Sequence, residues 1–307
     1  MAAFLGPLGA AYAALGSTWQ NVAGTTYTSI EGTLGKDLAG ALTHVLLSQA
    51  TFYCFFWPMY LFFRWADNTG FLARYKMHPN KWEPQTLNDK VWDGLTSAQA
   101  PFRAMGRSFF VYWFFFWGRM DHLAVPSFTT MLLNQCMAYT INDFFFYILH
   151  RAEHEVPYLY KYWHKRHHEF KVSNVGATSW NYWQESFGIM VCGNLSSILV
   201  GMSLFEYQIW ILNGVLNDAH VHCGYNLPWD LMNLVNPPEW HDFHHYKNVG
   251  NYSTGFPFWD VLFGTDRHYR EYLARNEELA KKGLGEEEPN RDEPIDMDYD
   301  VVKGKSE

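Results

Sequence analysis

The sequence predicts an all-α integral membrane protein: transmembrane helical hairpins under a histidine-rich, metal-binding cap on the cytosolic side. Three observations carry that prediction. Long stretches lack Asp, Glu, Lys and Arg; the basic residues gather on one proposed face; and histidines recur at helical spacing. The 307 residues include 14 Trp, 19 Tyr and 24 Phe, against 18% charged residues. Such aromatic loading excludes a chain disordered over most of its length. A formal net charge of −8 speaks against a duplex nucleic acid partner. Cys54, Cys136, Cys192 and Cys223 have neither metal nor disulfide spacing.

Taken in order, residues 1–40 are rich in Ala, Gly and Thr, and the first charge is Glu31. No basic leader region opens the segment, which reads as lumenal or interfacial. The membrane domain is expected over 41–270. Its first span, 41–63, carries no acid, Lys or Arg and is closed by Arg64, a length that crosses a bilayer. Pro58 is tolerated in such a helix. A polar stretch follows, and then an apolar hairpin over 108–149 that turns at 118–126. A second hairpin covers 186–218, with Glu206 near its tip. The remainder, 271–307, is an acidic tail expected to be disordered.

The charges test this topology. Of 23 Lys and Arg, 21 fall within 64–107, 150–185 and 219–307, and only Lys36 and Arg119 fall elsewhere. The hairpin arrangement puts those three segments on one face, which is the positive-inside pattern. That face, with the C-terminus, is therefore expected in the cytosol. Lys303 and Lys305 end the chain in a pattern similar to a dilysine retrieval signal, consistent with an endoplasmic reticulum membrane protein.

Ten of the 14 His lie between residues 150 and 245. His150 and His154 form H-x-x-x-H. His164, His167 and His168 form H-x-x-H-H, and His241, His244 and His245 repeat it. On a helix, positions three and four apart share a face, so each motif aims imidazoles in one direction. Imidazole ligates Zn, Cu, Fe and Ni, and eight clustered rings exceed one four-coordinate site, so two metals are implied. His222 is a further candidate ligand. His220 and Asp218 are candidates for either a ligand or an outer hydrogen-bond partner. Asp143, Glu153, Glu169 and Asp242 are further acceptors for ring N–H groups. His44, His78, His122 and His268 stand alone in the sequence and read as satisfied polar residues. Cys223 reads as a small residue beside the site. Tyr225, Trp229, Trp240 and Tyr246 read as walls and anchors, and Asn251 and Tyr252 as part of a covering loop. A histidine-rich metal-binding membrane protein without catalysis is the competing reading.

The chain resembles the membrane fatty acid hydroxylase/sterol desaturase superfamily, and within it the sterol C-4 methyl oxidases (methylsterol monooxygenases). The residues that carry this are 150–170 (HRAEHEVPYLYKYWHKRHHEF), 222–229 (HCGYNLPW), 241–266 (HDFHH through GNYST to FGTD) and 74–79 (RYKMHP). Together they run from about residue 60 to 270. Three positions depart from the sterol-demethylating members: Phe146, Tyr182 and Ala219 stand where members of that group carry further histidines, with His220 one step after Ala219. The resemblance implies a non-haem di-iron centre with two Fe per chain and O2 as co-substrate. It implies oxidation of a sterol C-4 methyl group through alcohol and aldehyde to carboxylate. A hydroxylase of another sterol position or lipid is the alternative. The sequence has no flavin, haem or nucleotide signature. Electrons are therefore expected from NAD(P)H through a partner, by family resemblance cytochrome b5 and its reductase. No catalytic side chain beyond the metal ligands is expected.

Overall fold

The computed structural model describes residues 2–78 and 85–284; the acidic run at 285–300 and the two terminal lysines lie outside the described residues. All regular elements among the described residues are helical. α1 (Ala2–Leu34) and α2 (Lys36–Thr69) meet at Gly35, whose φ of 82° turns the chain back. α1 lies across the turns of the later hairpins. The Tyr12 hydroxyl donates to the Pro126 carbonyl at 2.9 Å, and Trp19 packs edge-on against Phe205. The Ala/Gly/Thr-rich opening segment is thus a helix on the end of the molecule away from the histidines.

α3 (Gln85–Thr96) and α4 (Ala100–Val111) follow, and α4 runs on through a widened turn over Tyr112–Phe116. The chain reverses and enters α5 (Phe128–Glu155), where the Ser127 side chain caps the Thr130 amide at 3.1 Å. α7 (Trp183–Leu199) and α8 (Leu204–His222) form the second hairpin. Its turn uses Gly201 at φ 69° and a capping box in which Ser203 and Glu206 bond reciprocally. Glu206, the acid near the hairpin tip, is further held by Asn134 Nδ2 at 2.8 Å. The two hairpin turns are tied by the Leu204 amide donating to the Asp121 carbonyl at 2.8 Å.

Between α5 and α7 the chain forms α6 (Pro157–Leu159), a widened turn at Tyr160–His164 and two short 3-10 turns. After α8 come α9 (Pro238–Lys247), α10 (Phe258–Phe263) and α11 (Arg267–Lys281). These pieces form the cap. α11 carries helix into the segment expected to be disordered. Its charges fall at i,i+4 spacing, Arg267 with Glu271 at 3.5 Å and Lys281 with Glu277 at 2.7 Å, which supports an exposed helix.

The core joins α2 to the cap: Phe56, Tyr60 and Phe63 pack with Val91, Phe170, Val215, Ala219 and Tyr225. Asp67, near the end of α2, accepts from the Tyr225 hydroxyl at 2.6 Å and from Asn174 Nδ2 at 3.1 Å, and pairs with Lys76. One carboxylate thereby ties three cap segments to α2.

Among the described residues one helix, α2, is long and apolar enough to cross a membrane. The hairpins expected to span are present as helices, but polar groups such as Asn134, Gln135, Asn194 and Gln208 lower their hydropathy. Those groups are satisfied internally. Gln135 Nε2 donates to the Glu206 carbonyl at 2.9 Å, and Thr51 Oγ1 donates to Gln208 Oε1 at 2.8 Å. Outward positions are instead apolar: Phe55, Phe62, Phe109, Phe110, Phe114, Leu132, Leu133, Met137, Ile148 and Leu199 are all exposed.

Candidate metal centre

Nine histidines converge under the cap in two adjoining groups. His150, His154, His164, His168 and His244 form one, and His167, His222, His241 and His245 the other; within each, the ligand atoms lie within 4.8 Å of one another. All nine are buried. α5 supplies His150 and His154 one turn apart on its last turns. The widened turn Tyr160–His164, closed by the Lys165 amide on the Tyr160 carbonyl at 2.7 Å, rotates His164 inward. A 3-10 turn then presents His167 and His168. α8 ends on His222, and α9 carries His241, His244 and His245.

Each H-x-x-H-H motif is divided between the groups. His164 and His168 point to the first and His167 to the second, whereas His241 and His245 point to the second and His244 to the first. Only the second motif lies on an α-helix; the first is built from two tighter and wider turns.

The ring nitrogens show what the groups are fitted to hold. Six Nδ1 atoms meet acceptors: His150 at the Tyr252 carbonyl (2.6 Å), His167 at Ala177 (3.2 Å), His222 at Asp218 (2.9 Å), His244 at Gly250 (2.6 Å) and His245 at Phe170 (2.9 Å), with His164 at the Glu185 carboxylate (2.9 Å). A neutral imidazole has one proton, so Nε2 of each of these rings carries a lone pair. Yet Nε2 of His150 lies 3.0 Å from Nε2 of His164, and both rings are among these six. Facing lone pairs repel unless a cation lies among them. Two ligands at right angles on a metal ~2.1 Å away stand ~3 Å apart, which is the spacing observed. Five imidazoles in one group also exceed the four of a tetrahedral zinc site.

Burial keeps these rings in the ligating form. It pushes His150 and His222 down to about 4, and His154, His164, His167, His168, His241, His244 and His245 well below the ordinary histidine value. The same burial raises Glu153 to about 8 and Glu185 well above the usual carboxylate range. Those two carboxylates flank His164 Nδ1, Glu185 at 2.9 Å and Glu153 at 3.6 Å. Bound cations would favour their ionised forms.

The remaining expectations divide. Asp218 gives its carbonyl to His222 and keeps its carboxylate 3.6 Å from the same ring, facing the cavity described below. His220 belongs to neither group, because Nδ1 is held by Asp230 at 2.8 Å and Nε2 by the Asn236 carbonyl at 2.7 Å. It anchors the loop after α8. Asp143 accepts from the amides of Gly255 and Phe256, Glu169 from Trp180 Nε1, and Asp242 pairs with His78, so none of these three holds a ring of the two groups. His78 is thus a satisfied polar residue, as expected. Cys223 donates to the carbonyls of His220 and Tyr225 and stays off the centre, and burial pushes its thiol up to about 12. Sequence reading missed Glu185. The pattern Asn181–Tyr182–Trp183–Gln184–Glu185 offered an acid close after the second motif, but only the fold brings it to His164.

The loop over the centre is set by backbone geometry. Asn248, Gly250 and Asn251 have φ of 56°, 65° and 50°. This turns the Gly250 carbonyl onto His244, and a Cβ at Gly250 would collide with the Thr265 carbonyl. Asn251 is pinned through its Nδ2 to the Trp240 carbonyl at 2.9 Å, and the Tyr252 amide to Asp260 at 2.8 Å.

A cavity of about 770 Å³ opens from the centre into the helices. His150, His164, His167, His222 and His241 form its upper wall, and Phe146 and Tyr182 also line it. Phe146 packs against the His150 ring at 5.2 Å between centroids. Lower down the walls come from α2, α4, α7 and α8, as far as His44 and Tyr207.

Comparison with known proteins fits this geometry. The chain is 29% identical to very-long-chain aldehyde decarbonylase GL1-11 of Oryza sativa subsp. indica, over 88% of this chain and 99% of that protein. It is 30% identical to methylsterol monooxygenase 2-2 of Arabidopsis thaliana, over 70% of this chain and 82% of that protein. It is 34% identical to methylsterol monooxygenase erg25B of Aspergillus fumigatus, over 54% and 59% respectively. No solved structure matches it. The fatty acid hydroxylase profile matches residues 135–265, a stretch that contains all nine clustered histidines. With the Arabidopsis relative spanned over most of its length, the chain belongs to the fatty acid hydroxylase family.

Proposed function

We propose that this protein is a membrane-bound, O2-dependent di-iron monooxygenase that oxidises a carbon of a sterol or a similarly long lipid. The observation that carries the reading is the convergence of nine buried imidazoles in two adjoining groups at the head of a long cavity. His150, His154, His164, His168 and His244 would hold one iron, and His167, His222, His241 and His245 the other. Two bound irons supply O2 activation and attack on an unactivated C–H bond. One oxygen atom enters the C–H bond and the other leaves as water, at the expense of two electrons and two protons.

The chain's own residues set the conditions for that chemistry. Backbone carbonyls and Glu185 fix each ring's tautomer and direction. Phe146 and the cap exclude bulk water from the upper cavity. Asp218 faces the cavity beside His222 and is placed to exchange protons there. The Asp67 tie keeps the cap seated on α2.

The names of the methylsterol monooxygenase relatives support a methylsterol substrate, and the motif resemblance adds a sterol C-4 methyl group as the carbon oxidised, through alcohol and aldehyde to carboxylate. A second reading, another position on a sterol or another lipid, is supported by the polar lower end of the cavity. Electrons would come from NAD(P)H through a carrier such as cytochrome b5 and its reductase. The exposed aromatic and aliphatic faces of α2, α4, α5 and α7 support a multi-pass protein, and the charge distribution supports a cytosolic cap and C-terminus in the endoplasmic reticulum membrane. In domain terms this gives a lumenal or interfacial segment at 1–40, a membrane hydroxylase domain at 41–270 and a cytosolic tail.

Metal analysis of detergent-purified wild type and His168→Ala tests the reading. Close to two irons per chain, depleted in the variant, is expected, with sterol oxidation that consumes O2 when a reductase system is added. Zinc, or no bound metal, would overturn it.

A further inference from the structure

The lower end of the cavity contains a polar group with nothing to bind. His44 is 1% exposed, and neither of its ring nitrogens has a hydrogen-bond partner among the described residues. It lines the cavity with Ser48, Gln49, Asn194 and Tyr207. Its ring is wedged between Tyr207, stacked at 5.2 Å, and Tyr112 and Phe116, each at 5.5 Å. A buried donor and acceptor left unpaired lower stability unless something supplies the partner.

The neighbouring polar groups are already engaged. The Tyr207 hydroxyl donates to Asn194 Oδ1 at 2.8 Å, and Gln208 accepts from Thr51 and donates to Ser48 Oγ at 3.3 Å. Gln49 Nε2 donates to Ser108 Oγ, and its Oε1 is a second buried atom without a partner. Below them the pocket is closed by Tyr112, whose hydroxyl meets His122 Nε2 at 3.1 Å. Gly40 permits that closure, because a Cβ there would strike both groups.

We propose that His44 and Ser48 form a hydroxyl-binding pocket that anchors the polar end of a long lipid alcohol, leaving the opposite end of the lipid at the metal centre. The two residues are four apart on α2 and so share a face. A hydroxyl both donates and accepts, which matches an imidazole with both nitrogens open. The side chains packed on the His44 ring, Tyr112, Phe116 and Tyr207, carry no charge. The anchored group is accordingly neutral.

The span follows from α8. Tyr207 lies against His44, and His222 is a metal-centre residue fifteen positions later, ~22 Å along the helix. The same cavity touches both. The carbon oxidised is then remote from the hydroxyl. A C-4 methyl group, adjacent to a sterol's ring hydroxyl, would require the lipid to enter the other way round, with its apolar side chain against His44. This inference rests on the cavity being the lipid site of the proposed oxidase; it fixes the lipid's direction and favours the second reading, oxidation away from C-4, over the first.

Binding of cholesterol, cholestene, hexadecanol and hexadecane to the detergent-solubilised full chain tests it. Cholesterol is expected to bind about tenfold tighter than cholestene, which lacks only the hydroxyl. His44→Phe should abolish that difference and His44→Gln should retain most of it, with iron content unchanged in both. If the preference appears only between hexadecanol and hexadecane, the anchored lipid is a straight-chain alcohol. Equal binding within both pairs by the wild type overturns the pocket, and that comparison needs no variant. An equal loss for cholesterol and cholestene in His44→Phe reduces His44 to a packing residue and overturns it too. With a C-4 methylated sterol, oxygen found in the side chain supports the orientation, and oxygen on the C-4 methyl overturns it. Binding does not require turnover. Absence of iron with the hydroxyl preference intact would sink the oxidase reading alone, and loss of the preference with iron intact would sink only the pocket.

Discussion

Glu185 Oε1 holds the Nδ1 proton of His164 at 2.9 Å, while Oε2 of the same carboxylate is buried without a hydrogen-bond partner. The ring is thereby fixed with Nε2 toward His150 and His168. Outer partners of metal-bound histidines typically account for 10–100-fold in metal affinity. Glu185→Ala is expected to weaken iron retention by ~10–100-fold, and Glu185→Gln by less, because the amide oxygen still accepts. A chelator titration of the purified proteins reads this; equal retention in Glu185→Ala and wild type would show that Glu185 does not orient His164.

The division of the histidines makes a separate prediction. His154 belongs to the five-histidine group and His222 to the four-histidine group. Each alanine substitution should deplete one metal more than the other, so that both variants hold intermediate iron with different spectra of the residual metal. Identical residual spectra would contradict the assignment of ligands to two sites.

Gly250→Ala tests the covering loop. The residue has φ 65°, and an added Cβ meets the Thr265 carbonyl. A loss above ~1 kcal/mol is expected from the backbone strain and the clash, together with weaker iron binding as the Gly250 carbonyl leaves His244. Thermal unfolding in detergent measures the first effect and elemental analysis the second. A variant as stable and as well loaded as wild type would mean that the loop adapts freely.

The pH dependence has a definite sign. His150 and His222 stand at about 4 in the fold against 6.5 in a free chain. Above 6.5 these rings are neutral in both states, and their contribution to stability is level. Between 6.5 and about 4 the unfolded chain takes up protons that the folded chain refuses, so stability falls as pH falls. Complete transit of the window costs on the order of 3 kcal/mol per ring. Metal release runs in the same direction, since ligation needs unprotonated nitrogen. Glu153, raised to about 8, and Glu185 act in the opposite sense on folding stability, so iron retention is the measurement that isolates the rings: it should hold steady above neutrality and fall on acidification, and retention that rises on acidification would contradict this account.

Much of this architecture is legible in the residues. Ser203-x-x-Glu206 announces the start of α8 as a capping box, and the polarity break at Arg64 falls near the end of α2. The three histidine motifs and His222 name every member of the two groups. The sequence could not show the partition, because it depends on a widened turn at Tyr160–His164 and a 3-10 turn at His167–Glu169 where regular helical spacing was expected. Nor could it show the acceptors. Five of the six fixed Nδ1 atoms meet backbone carbonyls, which carry no signature in side-chain identity. His220 was ambiguous for a related reason: its two partners, Asp230 and Asn236, sit on a loop whose path follows only from tertiary packing. His44 reads in the sequence as a satisfied polar residue, whereas the structure buries it with both ring nitrogens open.

The facing lone pairs have a consequence beyond chemistry. With metal as the resident group, a chain that folded without it would hold the lone pairs of His150 and His164 at contact distance in a dry interior, the metal-free fold would be the weak form, and loading would close maturation. Iron supply would then govern how long newly made molecules survive surveillance in the cell before it governs their turnover of lipid. Scarcity of the metal would register first as a shortage of the protein itself.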